Sequence, residues 1–179
     1  MGHFYFIRHG QTTWNIENKI CGATDVPLTV LGHRQAMEAG QQILKEGIKA
    51  ALILHSPLIR ARETAEHISA ATGIPTRVEN RLIEQNFGSW EGKPRASQDF
   101  KKSKETFANS NITGESHLPL AQRIYNLLDE IKEDSDKTYI LVAHNAVSRS
   151  VHSYFHDMTN YEYANFRVGN CQIVRYDFD

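Results

Sequence analysis

The chain has 179 residues, and at roughly 100–200 residues per domain this is one domain with room for a short extra lobe. Apolar residues make up 40% and charged residues 23%, which excludes an intrinsically disordered chain. The 20 Lys and Arg against 21 Asp and Glu leave a net charge of −1, which excludes a strong overall field for nucleic acid or membrane but permits a local basic pocket.

Nine histidines are the unusual entry in the composition. Cys21 and Cys171 fit neither a disulfide framework nor a metal-knuckle spacing, and read as free thiols of a cytoplasmic protein. The N-terminal residues lack the basic start, long apolar run and cleavage site of a signal peptide. No apolar run approaches the ~18 residues of a membrane span.

In chain order, His3–Ile7 is short, aromatic and apolar, a buried strand that breaks at Arg8-His9-Gly10. Residues Leu28–Glu46 predict a helix, with Leu31, Ala36, Ala39, Ile43 and Leu44 near a 3.6-residue period and Gly47 as its stop. Ala50–Leu54 is a second strand, ending at His55-Ser56-Pro57. Ile59–Ala71 is a second helix, closed by Gly73 and Pro75. Thr76–Val78 is a third strand. Between Gly92 and Gly114 the apolar pattern fails, and residues 93–113 predict a small lobe over or beside the site, with one short helix. Pro119–Glu133 is an amphipathic helix, Thr138–Ala143 a fourth buried strand followed by a helix, and Cys171–Tyr176 a terminal strand.

Alternating strands and helices, with continuously apolar strands, predict a three-layer α/β/α sandwich around a mainly parallel sheet. Residues 1–179 form a single domain on this reading. Ligands of such sheets bind outside the carboxyl ends of the strands. The polar residues there are Arg8 and His9 after the first strand and His144 after the fourth; Arg60 is placed one helical turn into the helix after the second.

Arg8 is a fixed cation beside His9. Gly10 is expected to let the backbone turn and approach a ligand, and Asn15 can donate hydrogen bonds. Converging Arg, His and Asn donors describe an oxyanion site, and a neutral imidazole there can attack phosphorus. The bland alternatives are a satisfied core histidine at position 9 and a surface pair of Arg60 with Glu63. Yet Arg60 sits near a helix N-terminus, an end that favours anions, so a cation is misplaced there unless an anion binds between them. Glu84 lies within an apolar stretch, where desolvation would let a carboxyl hold a proton as a general acid. The competing reading pairs Glu84 with Arg81.

Arg8-His9-Gly10, Ser56-Pro57-Leu58-Ile59-Arg60-Ala61, Glu84 with Phe87-Gly88-x-Trp90-Glu91-Gly92, and the strand-borne His144 stand in this order along nearly the whole chain. In these blocks the sequence resembles the histidine phosphatase superfamily, the family of cofactor-dependent phosphoglycerate mutase and its phosphatase relatives. The resemblance implies a phosphohistidine nucleophile at His9 and a phosphate pocket of Arg8, Asn15, Arg60 and His144. It implies Glu84 as the acid that protonates the leaving alcohol and then, as base, activates water. Two imidazoles, two guanidiniums and one carboxyl supply this chemistry without metal or other cofactor.

Asn145 stands where the family usually has Gly; a backbone amide is kept there, and the Asn side chain offers a second way to reach the phosphate or an ordered water, so its role stays open between the two. Ile20-Cys21-Gly22 replaces a more usual Gln-Gly at the pocket rim, so Cys21 and Gly22, with His117, are candidate substrate-rim residues. The Cys-Gly-x-Thr-Asp-x-Pro-Leu run resembles α-ribazole phosphatases. His152 and His156 have the i,i+4 spacing of zinc ligands but no evident third partner. His33 and His67 read as solvated or half-packed. The expected partner is a small phosphorylated substrate, with no nucleic acid or membrane, and the protein a monomer or homodimer. Rival readings are a mutase and a binding module without turnover.

Overall fold

A computed structural model describes residues 2–108 and 114–179. The predicted lobe at 93–113 therefore lies partly outside the described residues. The strands are β1 (His3–Arg8), β2 (Leu52–His55), β3 (Thr76–Val78), β4 (Tyr139–Ala143) and β5 (Ile173–Asp177). The helices are α1 (Thr13–Ile16), α2 (Val30–Lys45), α3 (Ile59–Thr72), α4 (Gln98–Ser103), α5 (His117–Glu133), α6 (Asn145–Phe155) and α7 (Asn160–Asn165). Short 3₁₀ turns span Asn80–Leu82 and Gly88–Trp90.

The five strands lie in the order β3-β2-β4-β1-β5. The first four are parallel, and β5 runs antiparallel to β1. The sheet is thus mainly parallel, as expected. Along β1, Phe4 and Phe6 join one core with Leu120, Ile124 and Leu128 of α5 and Val147 and Val151 of α6. Ile7, with Ile53, Ile140 and Val142, joins a second core with Ala36 and Ile43 of α2 and Ala61, Ala65 and Ile68 of α3. Successive strand residues point to opposite faces, so a sheet covered on both faces needs continuous apolar runs. This is the α/β/α sandwich that the strand pattern implied.

Several boundaries move for local reasons. Thr29 caps α2 by accepting from the Gly32 amide, which leaves Leu28 outside the helix, in a bridge to Thr12. β2 begins and ends later than the apolar run suggests and takes in His55. α5 starts at His117, because Pro119 is tolerated in a first turn, where its missing N–H has no partner to lose. Arg60 is the second residue of α3 and so lies in its first turn. The region after Gly92 holds the expected short helix, α4, capped by Ser97. Phe100 of α4 is buried against Phe87 and Trp90, which ties this region to the body of the domain.

Candidate active site

β1 and β4 are neighbours, so their carboxyl ends present His9 and His144 side by side. The His9 amide continues the ladder to Ala143 O at 2.9 Å, and the two imidazole centroids are 5.2 Å apart. His9 is 5% exposed and His144 fully buried. The Nδ1 of His9 lies 2.7 Å from Gly10 O. A carbonyl only accepts, so Nδ1 carries the proton and Nε2 keeps its lone pair. Burial, then Arg60 and Arg8, hold His9 well below the usual imidazole range, which keeps the ring neutral at neutral pH. Burial, Arg60 and His9 do the same to His144. His144 Nε2 meets Ser56 Oγ at 2.7 Å, while its buried Nδ1 has no partner.

Gly10 serves a different contact from the one expected. A Cβ there would press on the Gly32 backbone of α2, so the close approach is between two protein segments rather than to a ligand.

Arg60 is fully buried and does not pair with Glu63, whose carboxylate instead faces His33 at 3.9 Å. Its Nη1 and Nη2 donate to Thr24 O at 2.9 Å and Gly22 O at 2.7 Å, and its Nε has no partner. Glu91 fixes the same loop, accepting from the amides of Ala23, Thr24 and Phe87 at 2.9, 2.8 and 3.1 Å. The guanidinium is thus locked in place from the loop side. Arg8 donates to Val168 O at 2.9 Å and leaves a buried Nε without a partner. Burial, followed by Arg95, pushes Arg8 down to about 10.

Glu84 is 5% exposed. It does not pair with Arg81, which binds Glu79 and Glu130. Nor is its setting purely apolar. Its carboxylate accepts from the amides of Gln85 at 2.9 Å, Ala146 at 3.1 Å and Val147 at 3.3 Å. Two of these are free N–H groups of the first turn of α6, the end of a helix that favours an anion.

A cavity of about 600 Å³, its open mouth included, is lined by Arg8, His9, Asn15, Cys21, Glu84 and Asn145. Arg60 and His144 are fully buried beside His9 and form none of its walls. Asn15 Oδ1 accepts from Thr12 N at 3.0 Å in the capping box of α1, and Asn145 Oδ1 accepts from Val168 N at 3.3 Å. In each amide the NH₂ half is what remains for a ligand. Cys21 is half-buried in the wall, its thiol raised by burial.

Two rim expectations change. Gly22 is not in the wall; it supplies the carbonyl that holds Arg60. His117 opens α5 with its ring packed between Phe107 and Tyr163, centroids 5.2 and 5.4 Å away. It lines a smaller neighbouring cavity with Gln85 and Lys104. His33 and His67 bond to each other at 2.9 Å. The His152 and His156 rings are tilted against each other with centroids 4.3 Å apart, and among the described residues no group of three or more His, Cys, Asp or Glu side chains is arranged to hold a metal ion.

The cavity also contains Arg95, Lys104, Arg149 and Arg167, which sequence reasoning did not single out. Only Arg149 left a signal, as a cation among the small and apolar residues Ala146–Val151, all of them buried in α6.

A buried neutral imidazole with guanidinium and amide donors around it thus stands at the carboxyl edge of a mainly parallel sheet. The chain matches the model of the histidine phosphatase superfamily (branch 1) over residues 4–179, and it belongs to that family. It is 31% identical to a probable phosphoglycerate mutase GpmB from Escherichia fergusonii, over 97% of this chain and 84% of the relative. Among solved structures, it is similar to a mutant phosphoserine phosphatase from Entamoeba histolytica in complex with phosphoserine. That match has a TM-score of 0.85 and 31% identity, covering 100% of this chain and 92% of the other. Mycobacterial glucosyl-3-phosphoglycerate phosphatase matches with a TM-score of 0.84 and 26% identity, over 97% of this chain and 89% of the other. Among the described residues, no helix is long and apolar enough to cross a membrane.

Proposed function

We propose that the protein is a metal-independent phosphatase that hydrolyses small phosphomonoesters through a phosphohistidine on His9. The observation that carries this reading is the state of His9. Its Nδ1 is tied to a carbonyl, its Nε2 keeps a lone pair, and its ring is held neutral beside the guanidiniums of buried Arg60 and half-buried Arg8. In the first step Nε2 attacks phosphorus and the ester P–O bond breaks. The Glu84 carboxyl gives its proton to the departing alcohol oxygen. In the second step water attacks the phosphohistidine, the N–P bond breaks, and the Glu84 carboxylate takes the proton from water. Arg8 and Asn15 stabilise the equatorial oxygens from the cavity wall and Asn145 donates from the helix side, while Arg60 Nε and His144 Nδ1, the buried nitrogens left over behind His9, turn to the phosphate as it seats.

The phosphatase names among the similar structures support hydrolysis, and the GpmB relative keeps mutase-type transfer as the second reading. A mutase must keep water from its intermediate, and residues 93–113 are a short segment for that task. The test is release of phosphate from p-nitrophenyl phosphate in EDTA. Turnover that survives chelation and is lost in His9→Ala is expected. Loss on chelation, or transfer without phosphate release in a mutase assay, would overturn the proposal.

A further inference from the structure

We infer that Arg95, Arg149 and Arg167 form a second anion subsite, and that the substrate is a phosphomonoester whose alcohol half carries another anionic group. This rests on the phosphatase reading of the same cavity. The transferring phosphate already has Arg8, Arg60, His144 and Asn15. The walls hold four further cations: Arg95, Lys104, Arg149 and Arg167. They come from four separate segments: the connection before α4, the end of α4, the middle of α6 and the connection before β5. Among the described residues, Glu84 is the one carboxylate in the walls, and it is already engaged by three backbone amides. Among the described residues, none of the four cations takes part in an ion pair.

A purely structural role accounts for part of this. Lys104 donates to Ala164 O and Arg149 Nε to Phe166 O, both at 3.4 Å, which pins the end of α7. Arg95 donates to Lys19 O at 2.9 Å. That role leaves Arg149 Nη1 buried with no partner, in a side chain only 6% exposed. It also gives no reason to gather like charges in a chain whose net charge is −1. Burial lowers Arg95 and Arg149, each repelled further by Arg167. Burial and these neighbours push Lys104 down to about 8. A bound anion removes that repulsion and gives the spare guanidinium N–H groups an acceptor. A carboxylate and a second phosphate offer the same chemistry, so the test separates them.

Two matched pairs serve as probes: 3-phosphoglycerate against glycerol 3-phosphate, and fructose 1,6-bisphosphate against fructose 6-phosphate. Binding is measured calorimetrically on His9→Ala protein, and kcat/KM on the native enzyme. One charge-assisted contact corresponds to about tenfold or more in affinity. The doubly anionic member of at least one pair is therefore expected to bind about tenfold tighter or more. Which pair shows the preference identifies the group. Arg167→Met, at an exposed position, should shrink that ratio towards one, and Arg95→Met should do so independently. No preference in either pair, or a preference unchanged in both variants, overturns the inference. Turnover of p-nitrophenyl phosphate without any preference would leave the phosphatase reading standing and sink only the subsite. Preferential binding without turnover would do the reverse.

Discussion

Replacing Glu84 by Gln separates the chemical role of this residue from its structural one. The carboxylate Oε1 accepts from Gln85 and Val147, and Oε2 accepts from Ala146. A glutamine keeps one acceptor oxygen and turns an NH₂ towards the third amide. One buried N–H then loses its partner, at a cost of about 1–3 kcal/mol. In a chain of this length each kcal/mol shifts Tm by roughly 2–4 °C, so a fall of about 2–12 °C is expected by differential scanning calorimetry. General acid–base catalysis contributes roughly 10²–10⁴ in rate. An alkyl phosphate, whose alcohol needs a proton to depart, should lose that factor in kcat. The p-nitrophenyl ester has a good leaving group and should lose much less from the first step. Inhibition by inorganic phosphate should weaken far less than kcat falls for the alkyl ester. Equal losses for both esters, with an equal loss of phosphate binding, would show that Glu84 only braces α6 and would refute its role as the acid.

Three further outcomes are expected. In Gly22→Ala the new Cβ would collide with Gln85 O and Glu91, so unfolding should be easier by about 1–3 kcal/mol; kcat/KM should fall as well, because the Gly22 carbonyl positions Arg60. Arg60→Lys removes the fork that grips two carbonyls while keeping the charge, and its kcat should drop at least tenfold if planar geometry matters; full activity in the lysine variant would assign Arg60 a charge role only. His117 is held down to about 4 by burial against an ordinary 6.5. Between those values the unfolded chain binds more protons than the folded one, so stability rises with pH and is lost as pH falls from 6.5 towards 4. This group accounts for at most about 3 kcal/mol. His117→Gln should flatten that acid limb in urea titrations, and an unchanged slope would contradict the assignment.

The apolar runs of β1 and β4 are legible because a sheet covered on both faces demands them, and their ends expose Arg8, His9 and His144 at once. Arg60 and Glu84 are legible through their surrounding blocks. Their partners are not, because carbonyls of Gly22 and Thr24 and amides of α6 meet them only after folding. The direction of β5 is hidden for a similar reason: an apolar run has no polarity, and only the connection through α7 brings the last strand in antiparallel to β1. The basic wall escapes the sequence because Arg95, Arg149 and Arg167 are scattered over more than seventy positions (95 to 167) and converge on one cavity. His117 shows the opposite error: proximity to a site motif in sequence suggests the rim, but the first turn of α5 buries its ring behind the wall.

The most direct test of the account is to capture the covalent intermediate. Native enzyme mixed with a phosphomonoester and quenched in alkali, where phosphohistidine survives, should give a peptide bearing one phosphate on His9 by mass spectrometry. The label should appear before steady turnover and be missing in His9→Ala. Phosphate on another residue, or steady hydrolysis with no labelled peptide at any quench time, would contradict nucleophilic attack by His9.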